Sequence, residues 1–289
     1  MKKLVIALSV LALCSLSFAQ TPGAATVNHP QEAAARLAQN RVAESAPHSP
    51  FSSAACAFTF ISGANNTFLK YCVTANGNVT QFQTPAGHEH IAVGKRGEGY
   101  GICDVASNVA YDDYADFGDS GNWNAATVVN ETVTSVKIAR TTADGRWTLT
   151  QTFTQVGGPV PSVRITMALK NNTNVAREAI LLRYADVDAD GTLANNLDGT
   201  ANNAFGWNSA AGTFSGTFGL LLQNIGNPNV GFAAGFVQNT PRPPKPCNPI
   251  FNQAPGPLTA TDGSLVLVYQ VNAIPNSGPT TVTVGYRGL

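Results

Sequence analysis

Apolar and polar residues alternate with a period of two along most of the chain after residue 54. The alternation is regular in residues 127–138, 147–153 and 162–169. Such a pattern turns one face of a strand toward a core and the other toward solvent. Asp144-Gly145 and Asn76-Gly77 are typical of hairpin turns between such strands. The pattern therefore predicts a chain of amphipathic antiparallel strands.

The same criteria extend this prediction over the rest of the chain. Further strands are predicted at 57–61, 68–73, 107–111, 180–184, 213–222, 230–237, 264–271 and 280–286. Residues 195–199 have the composition of a loop. About 240 residues of short strands with no intervening helical pattern fit one all-β domain. We therefore expect a large antiparallel β-sandwich over residues 51–289.

The first fifty residues differ from this pattern. Met1-Lys2-Lys3, an apolar run over residues 4–13 and a small residue at Ala19 have the three regions of a secretory signal peptide. Residues 1–19 are therefore predicted to be removed, and residues 20–50 to form a short Ala-rich tether, partly helical or disordered. No later stretch approaches the ~20 apolar residues of a transmembrane helix. The brief signal favours a secreted or periplasmic protein of bacterial origin.

Cysteine usage agrees with export. Outside the signal peptide the chain has Cys56, Cys72, Cys103 and Cys247, an even set that predicts two disulfides in an oxidising compartment. Three pairings are allowed. Pairing Cys56 with Cys72 is favoured because the strands predicted on either side of Gly63 would form a hairpin, which leaves Cys103 for Cys247.

The small number of charged residues limits the kinds of molecule that the protein is expected to bind. Charged residues make up 12% of the chain, and the net charge is zero. Since no basic tract is present to neutralise phosphates, nucleic acid is excluded as a partner. Asn, Thr, Gly and Ser replace charge as the solvating residues, which is common in extracellular β-proteins and on surfaces that contact polysaccharide.

The run Asp186-Val187-Asp188-Ala189-Asp190-Gly191 is the strongest chemical signal in the sequence. Three carboxylates at alternate positions converge on a hard cation if the backbone turns sharply after them, and glycine permits that turn. Oxygen ligands of this kind select Ca²⁺. We therefore predict a structural calcium site that includes Asp186, Asp188 and Asp190.

The loop is not a complete EF-hand. The twelfth position, which would need a bidentate Glu, is Leu197. Asp198, or a backbone carbonyl from another loop, is the candidate for the missing ligand. The alternative is an acidic surface turn, since Asp and Gly are common wherever a chain reverses.

Three other groups are weaker candidates for chemistry. Acidic residues crowd the segment after residue 111 and could form a second cation site or a solvated turn; they are Asp112, Asp113, Asp116 and Asp119. His88 and His90 share one face of an extended chain and could hold a transition metal with Glu98 or Asp104, or could lie on a surface strand. Aromatic residues near the acidic segments could stack on sugars or pack in the core; they are Tyr111, Tyr114, Trp123 and Trp207.

The sequence contains no catalytic signature. A Gly-x-Ser-x-Gly elbow and a phosphate-binding loop are both absent. The favoured function is a secreted, calcium-stabilised binding or surface-associated module, with an extracellular polysaccharide or cell-surface component as its partner. One alternative is a polysaccharide hydrolase or lyase that uses Glu89, His90 or Glu98 as acid or base. The other is a structural or adhesive envelope protein, which exposed apolar patches would favour.

Overall fold

The computed structural model describes residues 55–208, 217–226, 230–249, 256–273, 275 and 278–289. The predicted signal peptide and tether, residues 1–50, lie outside this part of the chain. The described residues contain strands and three short 3-10 turns but no α-helix. None of their helical segments has the length and apolar character that crossing a bilayer requires.

Seventeen strands make up most of the regular structure in the described residues. In chain order they are β1 (Cys56–Ser62), β2 (Leu69–Thr74), β3 (Val79–Gln83), β4 (Glu98–Asp104), β5 (Val109–Asp113), β6 (Thr127–Glu131), β7 (Ser135–Thr141), β8 (Trp147–Val156), β9 (Ser162–Asn171), β10 (Arg177–Asp186), β11 (Asn195–Thr200), β12 (Asn203–Trp207), β13 (Gly219–Asn224), β14 (Val230–Gln238), β15 (Leu258–Thr261), β16 (Ser264–Ala273) and β17 (Thr280–Gly288).

These strands form three sheets in which every pairing is antiparallel. The largest has nine strands in the order β15-β11-β12-β13-β17-β9-β8-β7-β6. A five-stranded sheet has the order β14-β16-β10-β4-β5, and β1-β2-β3 form a third. The predicted all-β sandwich is therefore confirmed.

The main core lies between the five-stranded and nine-stranded sheets and includes side chains of all three sheets. Alternation decides which residues enter it. On β8, for example, Trp147, Leu149, Gln151 and Phe153 are buried while the threonines between them are partly exposed. Burial of such side chains contributes about 1.5–3 kcal/mol each, which is the main stabilising contribution to the fold.

The five-stranded sheet is covered on its outer face as well. Leu182 and Tyr184 of β10 point away from the main core into a second buried cluster. The proline-rich segment 241–246 lies over that cluster, where Pro241 O accepts a hydrogen bond from Tyr184 Oη. At Gly101 of β4 an added Cβ would lie 2.5 Å from the ring of Pro246. The proline-rich segment therefore packs directly against the sheet.

Both expected disulfides are present. Cys56–Cys72 joins β1 to β2, and Cys103–Cys247 joins β4 to the end of the proline-rich segment. The second bridge closes a loop of 144 residues in sequence separation. It attaches the covering segment covalently to the sheet beneath it.

Two strand predictions were wrong. Residues 127–138 are two strands, not one, because Thr132 N donates to Ser135 O at 2.8 Å and turns the chain into the β6–β7 hairpin. Residues 195–199 are not a loop but most of β11, in which Leu197 is fully buried and opposite residues of β12 and β15. Pairing on both sides offsets the low strand propensity of Asn, Asp and Gly there.

Candidate cation site

The acidic run begins where β10 ends. Asp186 N donates to Gly97 O at 2.7 Å, and beyond this contact the chain leaves the sheet. Asp190 and Gly191 have φ of 53° and 74°, in the left-handed region that glycine tolerates at no steric cost. The sharp turn expected at Gly191 is therefore present, and it folds the loop back toward the sheet.

Three carboxylates meet at this end of the sheet. Asp186 lies opposite Ser264 of the neighbouring strand β16, and Asp262 lies two residues before Ser264. Carboxylate oxygens of Asp186, Asp188 and Asp262 all lie within 4.8 Å of one another. The exposed fractions of the three residues are 4%, 2% and 3%. Such deep burial of three acidic groups has a large desolvation cost if they are charged.

Among the described residues, no cationic side chain pairs with Asp186 or Asp188. Burial raises the pKa of Asp186 well above its usual value, and repulsion from Asp188 and Asp262 raises it further. The pKa of Asp188 is raised by burial and by Asp262. In the part of the chain that the structure describes, Asp186 and Asp188 form no ion pair, and the Oδ1 atom of each accepts no hydrogen bond. A divalent cation would satisfy both the charge and the oxygens.

Asp190 and Asp198, the other two predicted ligands, do not belong to this group of three. Asp190 Oδ1 lies 2.8 Å from His88 Nδ1, and its Oδ2 accepts from Asn208 Nδ2 at 3.5 Å. Asp198 Oδ1 accepts from Gly199 N at 2.8 Å. The third member of the group is Asp262, which sequence reasoning did not identify because its position in a Thr-Asp-Gly turn before a strand carried no signal in the sequence.

A buried asparagine holds the loop in place. Asn195 Nδ2 donates to Val187 O at 2.8 Å and to Thr192 O at 2.6 Å, and its Oδ1 accepts from Ala189 N at 3.2 Å. One side chain therefore spans both ends of the acidic turn. These hydrogen bonds hold the backbone on both sides of Asp188 in its turn.

The two histidines contact the same loop, and among the described residues neither belongs to a group of three potential metal ligands. His90 is buried; its Nε2 lies 2.8 Å from Thr84 O, and its Nδ1 accepts from Asp190 N at 3.2 Å. Both ring nitrogens are therefore occupied by protein groups. His88 stacks on Phe218 with a centroid distance of 3.5 Å. Burial lowers the pKa of His90, which agrees with a neutral ring that accepts a backbone hydrogen bond.

The second acidic segment is neutralised by arginine. Arg140 Nη1 lies 2.7 Å from Asp113 Oδ2, and Arg140 Nη2 lies 3.2 Å from Asp119 Oδ2. Asp116 pairs with Arg96 at 3.2 Å. Asp112 differs, because burial together with repulsion from Asp113 and Asp119 raises its pKa to about 7. These ion pairs favour a structural role for the segment.

Replacing Asp112 by asparagine should stabilise the protein at pH 8 and leave it unchanged at pH 4. The folded carboxyl holds its proton more tightly than the unfolded one, so stability falls as pH rises from about 4 to about 7. The variant has no carboxyl group there and does not undergo this loss. We therefore expect its free energy of unfolding at pH 8 to exceed that of the wild-type protein by about 1 kcal/mol, a value reduced for solvent screening. Urea unfolding at both pH values measures it.

The exposed Glu131→Gln variant removes one negative charge elsewhere and serves as the control. An equal gain in both variants would assign the effect to net charge and contradict the raised pKa of Asp112.

The four aromatic residues considered as a sugar platform are core residues. Trp123 and Tyr111 are 1% exposed, Tyr114 is 4% exposed and Trp207 is 7% exposed. Trp123 packs edge-on against both Tyr100 and Tyr111. Stacking on a sugar at these four positions is therefore excluded by burial.

Glu98, one of the candidate acid–base residues, belongs to a fully buried ion pair. Its Oε1 accepts from Arg183 Nε at 2.5 Å and from Tyr286 Oη at 2.7 Å, and both residues of the pair are 0% exposed. Arg183 Nη1 also donates to Gln151 Oε1 of β8 at 2.6 Å. The network joins β4 and β10 to the nine-stranded sheet and gives Glu98 a structural role.

Glu89 is also engaged with the backbone. Its Oε1 accepts from the amides of Phe82, His90, Ile91 and Ala92 at 2.8–3.1 Å. A carboxylate oxygen with four donors holds the segment after β3 in its turn. Neither glutamate therefore shows the arrangement of a carboxyl group directed into a substrate cleft.

Comparison with known proteins places the fold but no family. No protein-family model and no curated protein matches the sequence. Among solved structures, a bacterial glucoamylase complexed with acarbose is similar with a TM-score of 0.51 and 12% identity, over 84% of this chain and 34% of that chain. An aldose epimerase homologue from C. elegans has a TM-score of 0.45 and 10% identity, over 80% of this chain and 98% of that chain. The chain thus spans about a third of the glucoamylase's length, and at 12% identity the similarity to that protein is one of fold alone.

Proposed function

We propose that the protein is a secreted β-sandwich that Ca²⁺ stabilises and that acts as a binding or surface-associated module toward extracellular carbohydrate. The observation that carries the calcium part is the meeting of Asp186, Asp188 and Asp262 within 4.8 Å in a buried position. The predicted ligands Asp186 and Asp188 stay in the proposal, and Asp262 replaces Asp198. Backbone carbonyls and water would complete the six to eight oxygens that Ca²⁺ takes.

The cation would act as a structural element. It would connect the end of β10 to the start of β16, which are neighbours in the five-stranded sheet. Because only the folded chain brings Asp262 to Asp186 and Asp188, binding would add its free energy to folding, about 2.7 kcal/mol at a hundredfold excess over Kd.

Export and carbohydrate binding are supported by separate observations. The lysine-led apolar N-terminus and the two disulfides support an oxidising compartment outside the cytoplasm. The fold is shared with a glucoamylase whose structure contains acarbose. Fold alone does not fix function, so this support extends to the class of ligand and not to a reaction.

Calcium should raise the melting temperature by about 5–11 °C at a hundredfold excess over Kd, relative to a chelator at the same pH. Asp188→Asn should abolish most of that shift while being at least as stable as the wild-type protein in chelator, because it removes one of the repelling charges. Differential scanning calorimetry at pH 7.5 measures the melting temperature of each protein with calcium and with chelator.

The control is Asp198→Asn, which makes the same chemical change at the predicted ligand outside the group of three. We expect a normal calcium shift for this variant. A shift lost in Asp198→Asn but kept in Asp188→Asn would refute the assignment of Asp262. If calcium changes the melting temperature of neither the wild-type protein nor Asp198→Asn, the site is not a calcium site.

A further inference from the structure

A solvent-open cleft lies between the three-stranded sheet and the segments around residues 94 and 116. Its volume is about 370 Å³, within the ~300–1,000 Å³ typical of small-molecule sites. Apart from Ala92 and Gly94, its lining consists of polar side chains and one disulfide; these residues are Cys56, Cys72, Thr80, Gln81, Arg96 and Asp116. None of these residues belongs to the cation site.

Arg96 is held in position by Asp116. Asp116 Oδ2 accepts from Arg96 Nε at 3.2 Å and from Arg96 N at 3.0 Å, while Asp116 N donates back to Arg96 O at 3.2 Å. The Arg96 side chain is 39% exposed, and the Asp116 side chain is 12% exposed. Within the part of the chain that the structure describes, neither Nη nitrogen of Arg96 makes a hydrogen bond. The guanidinium group of Arg96 is therefore held at the wall of the cleft, with its Nη nitrogens available as hydrogen-bond donors.

The lining offers both donors and acceptors without a net charge. Arg96 supplies donors, Asp116 Oδ1 is left to accept, and the half-buried amide of Gln81 can do either. The hydroxyl hydrogen of Thr80 is not available to a ligand, because Thr80 Oγ1 donates it to Cys72 Sγ at 3.4 Å. The disulfide adds an apolar surface, and the space around Gly94 is open. Paired charges, mixed polarity and an apolar face match a neutral polyhydroxylated ligand.

The cleft is joined to the cation site through Gly97. Gly97 follows Arg96 in sequence, and its carbonyl accepts the hydrogen bond from Asp186 N at 2.7 Å. A Cβ on Gly97 would lie 3.0 Å from Asp186 Cβ and 2.7 Å from the ring of Phe117. The segment that carries Arg96 therefore packs against a cation ligand on one side and lines the cleft on the other.

We infer that this cleft is the carbohydrate site of the protein and that its ligand is a neutral saccharide. Arg96 and Gln81 donate hydrogen bonds to ligand hydroxyls, Asp116 accepts from one of them, and the Cys56–Cys72 disulfide contacts the apolar sugar face. This inference rests on the proposed carbohydrate-binding function and gives it a place and a ligand class.

The test is a glycan array with neutral and acidic saccharides, followed by isothermal titration with the strongest hit. Arg96→Gln and Gln81→Ala should each weaken binding of a neutral saccharide about tenfold or more. The control is Arg164→Gln, the same change at an exposed residue of β9, which should bind normally. The calcium-dependent melting shift is recorded for every variant and should be unchanged.

The outcomes separate the two proposals. If no saccharide binds, the carbohydrate-binding function and the cleft inference are both overturned, whereas binding that survives both cleft variants overturns the cleft inference alone. In either case an intact calcium shift leaves the cation site in place. Binding to acidic saccharides alone overturns the neutral class. If Arg96→Gln loses its calcium shift because it fails to fold, Gln81→Ala decides the question alone.

Discussion

Replacing Arg183 by methionine should lower the free energy of unfolding by about 3–5 kcal/mol. The change leaves the Glu98 carboxyl fully buried without its cation, with only Tyr286 Oη and Val79 N as donors. Burial already raises the pKa of Glu98, and Arg183 is the first of the groups that oppose this increase. The loss should therefore be larger at pH 8 than at pH 5, where the carboxyl can bind a proton. Urea unfolding at both pH values measures it.

Two further variants make the Arg183 prediction specific. Arg164→Met makes the same chemical change at an exposed position of β9 and should cost less than ~0.5 kcal/mol. Adding Glu98→Gln to Arg183→Met removes the stranded charge and should recover part of the loss. A double variant less stable than Arg183→Met would show that packing of the arginine, and not its charge, dominates.

Removing the Cys103–Cys247 bridge by a double change to alanine should cost about 2–5 kcal/mol. The bridge spans 144 residues, so the unfolded chain gains more freedom from its loss than from loss of Cys56–Cys72, which spans 16. The folded state also loses the attachment of the proline-rich segment over Tyr184. Thermal and urea unfolding of both double variants under oxidising conditions compare the two bridges.

The order of the two effects is the informative result. Chain entropy predicts that loss of Cys103–Cys247 lowers the free energy of unfolding by about 1–2 kcal/mol more than loss of Cys56–Cys72 does. An equal cost would mean that the proline-rich segment stays docked through the tyrosine contacts alone. A larger cost for Cys56–Cys72 would contradict the prediction and assign a dominant role to the β1–β2 hairpin.

Much of the fold could be predicted because period-two alternation acts locally. Strands β8, β9 and β17 lie where the pattern placed them, and the turn at Asp144-Gly145 joins β7 to β8. The two errors have different physical causes. Residues 132–134 turn, although their composition suits a strand, because the local hydrogen bond from Thr132 N to Ser135 O closes a hairpin. Residues 195–199 pair, although their composition suits a loop, because strands β12 and β15 flank them and override local propensity.

The candidate site was predictable only where its residues are close in sequence. Asp186 and Asp188 could be found by their spacing, but Asp262 is brought to them by the pairing of β10 with β16. The same limit applies to the cleft. Arg96 and Asp116 are twenty residues apart, and their juxtaposition follows from the packing of two irregular segments that carry no periodic signal.

The Cys103–Cys247 bridge also determines how the protein would respond to mechanical load. If the chain is pulled from its two ends, tension passes through the sulfur–sulfur bond and bypasses everything between these cysteines. The bypassed part contains strands β5 to β14 and the acidic loop with Asp186 and Asp188. Only the segments before Cys103 and after Cys247 can be unfolded and extended by the applied force. Most of the nine-stranded sheet, strands β6 to β9 and β11 to β13, would therefore stay unextended when the two ends are pulled apart.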